Sequence, residues 1–307
     1  MSGAIQRLTK ACSNQALLKN WLVSRLQSFI GSKEYVSAGY VRSDSDDGLY
    51  IRAVEEANRS FQAFARFKRN ASYRRILEHL SYEQGLGYLD VLRSEAPDLV
   101  EKMNVFLVND VVGGPVRYHY DGIGLASPTT FRYVKVAADL RNLFGDLNGL
   151  KVAEIGGGYG GQLLVLDRMC RFQRYDLYDL LPVLQLTAKY LEAHLLNSSY
   201  ATSTLNQCGS DAMYDLVISN YAFSELPAEL ATKYIEKVLS KASRGYLTMN
   251  SGRGETERNR GKLTLKEYGV LLPAFEILEE NPLTGRDNYI LAWGHKEGGL
   301  PVCKSLA

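Results

Sequence analysis

A cluster of glycines constrains this chain more than any other feature: five of the six residues from 156 to 161 are glycine. The apolar run 152–155 that precedes them predicts a buried strand, and residues 162–166 after them predict a helix. Because glycine has no Cβ, its backbone can approach a ligand closely. A strand, a glycine loop and a helix in this order are typical of the ligand-binding edge of an open α/β sheet.

Glu154 bears on which ligand such a loop would hold. In a dinucleotide site the loop and the helix N-terminus hold a pyrophosphate, which a nearby carboxylate would repel. S-adenosylmethionine carries no phosphate; it carries an ammonium and a sulfonium, which a carboxylate attracts. The pattern Glu154-x-Gly156-x-Gly158-x-Gly160 resembles the first motif of the S-adenosylmethionine-dependent methyltransferases.

Two other interpretations of the loop stay open. Gly156, Gly158 and Gly161 also satisfy the dinucleotide fingerprint G-x-G-x-x-G, and Asp176 and Asp179 lie about where a ribose-binding acid is expected. An NAD(P)-dependent oxidoreductase is therefore an alternative. A non-enzymatic module that binds the methyl donor as a sensor is another.

Further segments resemble bacterial sugar O-methyltransferases. They are residues 127–134, 154–162, 179–182, 219–226 and 285–289. The match covers most of residues 105–296, although the Asp-Leu-Pro of the family's second strand is Asp-Leu-Leu-Pro here. The resemblance implies methylation of a sugar hydroxyl, with S-adenosylmethionine as the donor, on a surface-glycan or natural-product precursor. The acceptor would be free, nucleotide-linked or polymeric, and a methyltransferase acting on a non-sugar small molecule is the alternative.

Strand and helix patterns alternate regularly after residue 150. The predicted strands are 151–155, 174–178, 201–205, 214–220 and 245–250, followed by a terminal hairpin of 275–280 and 288–295. Parallel strands closed by an antiparallel hairpin predict an α/β fold, the Rossmann-like class I methyltransferase sheet with an antiparallel last strand. A helical N-terminal domain is expected to precede it.

The predicted organisation has three parts. A helical N-terminal domain spans residues 1–108, with helices over 16–30 and 51–67 among others. A substrate loop and a connecting helix span 109–145, where glycines, prolines and aromatic residues indicate a long, irregular but functional connection. The donor-binding methyltransferase domain spans 146–300.

The donor-binding residues are expected at the glycine loop and at two strand ends. Asp179 ends the second strand at a suitable distance to bind both ribose hydroxyls, and Asp176 is the fallback. Ser219 and Asn220 end the fourth strand, where their backbone would run beside the methionine part of the donor. The predicted set is Glu154, Gly156, Gly158, Gly160, Asp179, Ser219 and Asn220.

Methylation of a sugar hydroxyl calls for a general base, because the hydroxyl is a poor nucleophile until its proton leaves. His119 in the long connection is one candidate, since a neutral imidazole suits this work near neutral pH. Glu225, just after the fourth strand, is the other, and Asp110 is a weaker third choice.

Arg132, Tyr133 and Asn250 are the predicted acceptor-binding residues. The Arg132 guanidinium suits a substrate phosphate or the carboxylate of the donor. A group of basic residues is expected to be a solvated helix face, or else to bind a phosphate-linked sugar: Arg66, Lys68, Arg69, Arg74 and Arg75. No pair of adjacent aspartates marks a magnesium site, so a metal is not indicated.

Composition excludes several classes of partner. The net charge of +2 gives no general attraction to nucleic acid. No apolar run approaches the roughly 18 residues of a membrane span, and the polar N-terminus predicts a cytoplasmic protein. The four cysteines show no C-x-x-C pair and are expected to be reduced thiols. A homo-oligomer is compatible with the sequence.

Overall fold

A seven-stranded sheet forms the centre of the part of the chain that the computed structural model describes, residues 48–209, 212–253 and 260–295. Its strand order is β5-β4-β3-β6-β7-β9-β8. The strands are β3 (Lys151–Ile155), β4 (Arg174–Tyr178), β5 (Tyr200–Ser203), β6 (Leu216–Asn220), β7 (Gly245–Met249), β8 (Glu276–Glu279) and β9 (Tyr289–Trp293).

The direction of the strands confirms the predicted fold class. Strands β3 to β7 run parallel, whereas β9 pairs antiparallel with both β7 and β8. Counted from β3, the order along the sheet is 3-2-1-4-5-7-6, the order of the Rossmann-like class I methyltransferase fold. The predicted fourth strand begins two residues late, at Leu216, and the other strands lie within a few residues of their predicted bounds.

The parallel strands are apolar along most of their length because helices cover both faces of the sheet. The α-helices are α1 (Leu49–Arg59), α2 (Phe61–Phe64), α3 (Ala71–Ile76), α4 (Tyr82–Glu95), α5 (Pro97–Glu101), α6 (Met103–Phe106), α7 (Pro128–Phe144), α8 (Gly161–Asp167), α9 (Leu181–Leu191), α10 (Ala228–Lys237) and α11 (Leu265–Leu271). Two apolar clusters form the core.

Helix α7 is the longest helix of the described ranges and connects the helical layer to the sheet. Its start is fixed by the Ser127 side chain, which accepts a hydrogen bond from the Thr129 amide, and by Pro128 at the first turn. Most of its residues are buried, since both α4 and α8 pack on it. The Tyr246 hydroxyl of β7 donates to Asp139 of α7 at 2.9 Å.

The helical layer before α7 differs from its predicted form. The expected single helix over 51–67 is broken at Ser60, whose side chain caps α2. The expected helix over 16–30 lies outside the described residues. Lys68 was expected on a solvated face, and this was wrong: its side chain is fully buried. The predicted domain boundaries at 108 and 145 stay predictions.

The connection between residues 109 and 130 is more ordered than its composition suggests. It contains an antiparallel hairpin of β1 (Tyr118–Tyr120) and β2 (Gly124–Ala126). The Tyr120 ring packs on Tyr82 of α4 and on Phe131 of α7, which anchors the hairpin to the helical layer. None of the helices in the described ranges is long and apolar enough to span a membrane.

The pairing of β7 with β9 gives a test of the fold. Gly245 lies opposite Trp293, and a Cβ at this position would overlap the indole ring. We expect Gly245→Ala to lower the free energy of unfolding by about 1–3 kcal/mol, because the ring is buried and cannot move away freely. Urea unfolding measures this change.

Gly269→Ala in α11 is the matched control, because nothing lies within 4 Å of a Cβ there. We expect it to leave stability unchanged or to raise it by up to about 1 kcal/mol. Equal losses in the two variants would contradict the predicted contact between Gly245 and Trp293.

Candidate active site

The glycine loop turns sharply between β3 and α8. Gly156, Gly158 and Gly160 have φ values of 74°, 55° and 86°, in the left-handed region that disfavours other residues. The Gly156 amide donates to the Tyr178 carbonyl at 2.8 Å, which holds the start of the loop at the end of β4. The loop therefore lies at the carboxyl edge of the parallel strands, as the sequence predicts.

Neighbouring segments pack directly on this loop. A Cβ on Gly156 would overlap Ala222, which follows β6, and a Cβ on Gly158 would lie 3.0 Å from Leu77 Cδ1. Leu77 directly follows α3, so the helical layer covers the middle of the loop. The loop is thus enclosed between the end of β6 and the helical layer.

Asp179 faces the loop from the end of β4. Its carboxylate accepts hydrogen bonds from the amides of Gly158 at 3.1 Å and of Leu180 at 2.7 Å. Burial raises the pKa of Asp179 to about 6, although these two hydrogen bonds oppose the shift. The fallback candidate, Asp176, is used differently: it accepts from the Tyr214 hydroxyl and pairs with Arg174 within the sheet.

Glu154 lies buried beneath the same loop. Its carboxylate accepts a hydrogen bond from the Tyr175 hydroxyl at 2.8 Å. Burial raises the pKa of Glu154 to about 7, and the charge of Asp179 adds to the shift, while the Tyr175 bond opposes it. Within the described ranges, neither Glu154 nor Asp179 forms an ion pair with a basic side chain.

Ser219 and Asn220 take different positions at the end of β6. The Ser219 hydroxyl is buried, donates to the Ile155 carbonyl at 2.8 Å and accepts from the Phe223 amide. It therefore fixes the turn beside the glycine loop. The Asn220 side chain accepts a hydrogen bond from Thr248 and lines a small cavity.

This cavity, beside the carboxyl ends of β6 and β7, has a volume of about 20 Å³. It has room for a water molecule or a single hydroxyl group rather than a sugar ring. Most of its lining residues carry a polar or charged group: Tyr88, Arg132, Lys135, Asp139, Asn220, Tyr221, Tyr246, Thr248, Glu280 and Asn281, with Val136 and Ile290.

Arg132 contributes a buried positive charge to the cavity. Its Nη2 donates to the Leu77 carbonyl at 3.1 Å, and its buried Nε has no hydrogen-bond partner among the described residues. The guanidinium lies 5.5 Å from the Tyr133 ring and 6.0 Å from the Tyr221 ring. A buried guanidinium with an unsatisfied donor favours a site that receives an electronegative ligand group.

The other two predicted acceptor-binding residues, Tyr133 and Asn250, contact different parts of the site. The Tyr133 ring is buried 6.1 Å from the Tyr159 ring of the glycine loop. Asn250, which follows β7, donates to Glu225 at 2.9 Å and accepts from the Ser224 hydroxyl. Asn250 thereby links β7 to the turn after β6.

The three candidate bases differ in burial and in their position relative to the sheet. Glu225 lies at the carboxyl edge of the sheet, bonded to Asn250. His119 is exposed on the hairpin strand β1, opposite Leu125. Asp110 is buried and accepts from the Ser127 amide and the Thr130 hydroxyl, which is a structural arrangement at the start of α7.

The site also contains residues that sequence reasoning missed. Tyr221 and Glu280 share a hydrogen bond beside the cavity, although 59 residues separate them in the chain. Glu78 accepts a hydrogen bond from Tyr159 of the glycine loop at 2.9 Å, and Lys68 lies 4.1 Å from the centre of the Tyr159 ring. The sequence carries no motif for these contacts, because each joins segments that only the fold brings together.

No group of His, Cys, Asp and Glu side chains within residues 48–209, 212–253 and 260–295 is placed to hold a metal ion. Cys170 and Cys208 are free thiols.

Comparison with known proteins gives structural likeness alone: no family model matches the chain, and no curated protein matches it. The N-methyltransferase NodS from Bradyrhizobium japonicum WM9, solved with S-adenosyl-L-homocysteine, is 18% identical with a TM-score of 0.39, covering 54% of this chain and 86% of that chain. Magnesium protoporphyrin IX methyltransferase from Synechocystis PCC 6803 is 16% identical with a TM-score of 0.37. The match covers 64% of this chain and 94% of that chain.

The mitomycin 7-O-methyltransferase MmcR is 15% identical with a TM-score of 0.39, covering 79% of this chain and 66% of that chain. These likenesses are too distant to define the fold, so the fold assignment rests on the strand order of this chain.

The raised pKa of Glu154 predicts how stability depends on pH. In the unfolded chain the carboxyl returns to its ordinary pKa near 4.5, so between that pH and about 7 only the folded protein holds the proton. The contribution of Glu154 to stability therefore falls as pH rises through this window. We expect Glu154→Gln to gain on the order of 3 kcal/mol relative to the wild type between about pH 4.5 and about pH 8.

Urea unfolding at several pH values measures the effect. Glu229→Gln is the control, because that carboxylate is exposed and its pKa lies below its usual value beside Lys233. If the curves of stability against pH run parallel for the wild type and Glu154→Gln, the prediction of a buried Glu154 carboxyl without an ion pair is contradicted.

Proposed function

We propose that the protein is an S-adenosylmethionine-dependent O-methyltransferase that acts on a sugar hydroxyl. The observation that carries the donor assignment is the pair of carboxyl groups, Glu154 and Asp179, beside a glycine loop, with no basic side chain paired to either among the described residues. A cationic ligand would favour the ionised form of both groups, whereas a pyrophosphate would be repelled by it.

The residues of the loop fit this donor chemically. Asp179 is held by the Gly158 and Leu180 amides with its carboxylate toward the loop, where it would bind the two ribose hydroxyls. Glu154 would balance the positive charge of the methionine end. S-adenosylmethionine, when bound, supplies a methyl group already activated by its sulfonium, so positioning of the acceptor accounts for much of the rate.

The oxidoreductase alternative fits less well. Its ribose-binding acid would be Asp176 or Asp179, and Asp176 is committed to Tyr214 and Arg174 inside the sheet. The antiparallel β9 beside β7 also departs from the all-parallel sheet of paired dehydrogenase folds. A sensor without catalysis would bind the donor but form no S-adenosylhomocysteine, which the acceptor test below measures.

The sugar acceptor is supported by where the family-like segments meet. Arg132 and Tyr133 come from segment 127–134 and Tyr221 from segment 219–226, and the Arg132 guanidinium lies near both tyrosine rings. Hydroxyls and amides line the adjacent cavity, which suits an acceptor rich in hydroxyl groups. Arg132 would bind a phosphate of the acceptor or the donor carboxylate, while Glu225 and His119 remain candidate bases.

Donor binding is tested by calorimetry with S-adenosylhomocysteine, NAD⁺ and NADP⁺. We expect the wild type to bind S-adenosylhomocysteine alone. Asp179→Asn keeps an acceptor for the Gly158 amide but loses its charge, so we expect affinity to fall by about 10- to 100-fold. Asp215→Asn is the matched control, because Asp215 likewise accepts a backbone amide, that of Lys151, but at the opposite end of β3.

Binding of NAD(P) without binding of S-adenosylhomocysteine would reverse the assignment. Equal affinity in the wild type and Asp179→Asn would remove Asp179 from the ribose site.

The acceptor class is tested by S-adenosylhomocysteine formation with a panel of methyl glycosides and nucleotide sugars, and with phenol as a non-sugar hydroxyl. We expect turnover with at least one sugar, since the cavity admits a hydroxyl group and has polar side chains in its lining. Mass spectrometry of the product should show one added methyl group. Turnover of phenol alone would point to a non-sugar acceptor.

A further inference from the structure

Tyr221 has an unusual backbone conformation directly after β6. Its φ of 67° makes it the one non-glycine residue with a positive φ in the described ranges. A residue with a bulky side chain is strained at a positive φ. It keeps this conformation only where contacts with the surrounding structure stabilise it. The Tyr221 amide donates to the Thr248 carbonyl of β7 at 2.8 Å, which fixes the turn.

This conformation places the Tyr221 phenol at the cavity beside the donor loop. Tyr221 and Asn220 line the cavity, and the next residue, Ala222, packs on Gly156 of the glycine loop. The Tyr221 phenol and the contact of Ala222 with the glycine loop therefore belong to the same turn after β6. An acceptor hydroxyl that enters the cavity would meet the phenol.

The Tyr221 hydroxyl is built into a hydrogen-bonded chain. It donates to Glu280 and lies 3.3 Å from the Thr284 hydroxyl. Glu280 is buried, and it accepts further hydrogen bonds from the Thr284 amide at 2.7 Å and from Asn288 at 2.9 Å. These hydrogen bonds hold the Glu280 carboxyl group in place against the Tyr221 hydroxyl.

We propose that Tyr221 accepts the proton of the acceptor hydroxyl and that Glu280 is the positioning residue that receives the proton of the phenol. This inference rests on the proposed function and adds a pair that the sequence did not mark. It places the base in the cavity rather than at His119 or Glu225.

The proton transfer balances without a further reactant. The acceptor O–H bond breaks as its proton moves to Tyr221 Oη, and the phenol passes its own proton to Glu280. The acceptor oxygen forms a C–O bond to the methyl group as the S–C bond breaks, which leaves a neutral thioether. Burial raises the pKa of Tyr221 well above its usual value, so the phenol stays neutral and relays a proton.

Other charged and titratable groups surround the pair from every neighbouring element. They are Tyr88 of α4, Arg132, Lys135 and Asp139 of α7, and Tyr246 of β7. The Arg132 guanidinium, 6.0 Å from the Tyr221 ring, favours the developing negative charge on the acceptor oxygen.

The test compares Tyr221→Phe and Glu280→Gln with the wild type in three measurements. The first is S-adenosylhomocysteine affinity by calorimetry. The second is the rate of S-adenosylhomocysteine formation against pH, with the methyl glycosides and with phenol as probes. The third is the ¹³Cζ resonance of Tyr221 in the ligand-free protein, assigned by its loss in Tyr221→Phe.

We expect Tyr221→Phe to keep the donor affinity and to lower kcat by about 100-fold or more, because it removes only the hydroxyl. Glu280→Gln should lower kcat by about 10-fold or more and abolish the acidic limb of the pH profile, since an amide cannot take the proton. The Tyr221 resonance should report a neutral phenol and should shift in Glu280→Gln.

Tyr214→Phe is the matched control, because Tyr214 also donates to a carboxylate, that of Asp176, away from the cavity. Wild-type turnover in Tyr221→Phe, or an unshifted resonance in Glu280→Gln, would overturn the proposal. A comparable loss of kcat in Glu225→Gln or His119→Ala, with Tyr221→Phe active, would assign the base there instead.

The outcomes also separate this proposal from the proposed function. A wild type that methylates phenol and no glycoside contradicts the sugar acceptor, and phenol then serves to compare the Tyr221 variants. A wild type that forms no S-adenosylhomocysteine from any probe overturns both proposals. Should Tyr221→Phe fail to fold, Glu280→Gln and its pH profile decide.

Discussion

The close packing of the glycine loop against its neighbours is the constraint on which the whole site depends. Gly156 lies against Ala222, which follows β6, and Gly158 lies against Leu77, which follows α3. A Cβ on Gly156 would overlap Ala222, and a Cβ on Gly158 would press on the end of the Leu77 side chain. The loop therefore packs closely on the turn after β6 and contacts the helical layer through Leu77.

Leu77 carries this constraint from the loop to the cavity. Its side chain lies at Gly158, and its carbonyl accepts from Arg132 Nη2, which orients the guanidinium toward the Tyr221 ring. A shift of Leu77 therefore moves both the surroundings of the glycine loop and the charge beside the cavity. For the proposed methyl transfer, which depends on alignment of acceptor and donor, such a shared support would hold the two sites at a fixed distance from each other.

The sequence predicted the sheet well because its signals are local. Residues 151–161 combine an apolar run with clustered glycines, and the strands after it repeat the same alternation. Residues that act through long-range contacts were not predictable in this way. The positive φ of Tyr221 belongs to the turn after β6, and its partner Glu280 directly follows β8, which reaches this part of the sheet only through its pairing with β9, so neither leaves a local pattern.

Lys68 shows why composition misled in the helical layer. Its place beside Arg69 predicts a solvated basic face, yet the Lys68 ammonium is buried. It donates to the Asn109 carbonyl at 2.6 Å and lies over the Tyr159 and Tyr190 rings. Burial lowers the pKa of Lys68 to about 8, and the nearby carboxyls of Glu78 and Asp110 oppose this shift. A buried charge costs free energy unless partners surround it, so this lysine belongs to the folded contact between layers. Because Tyr159 is a residue of the glycine loop, the helical layer packs directly on the loop proposed to bind the donor.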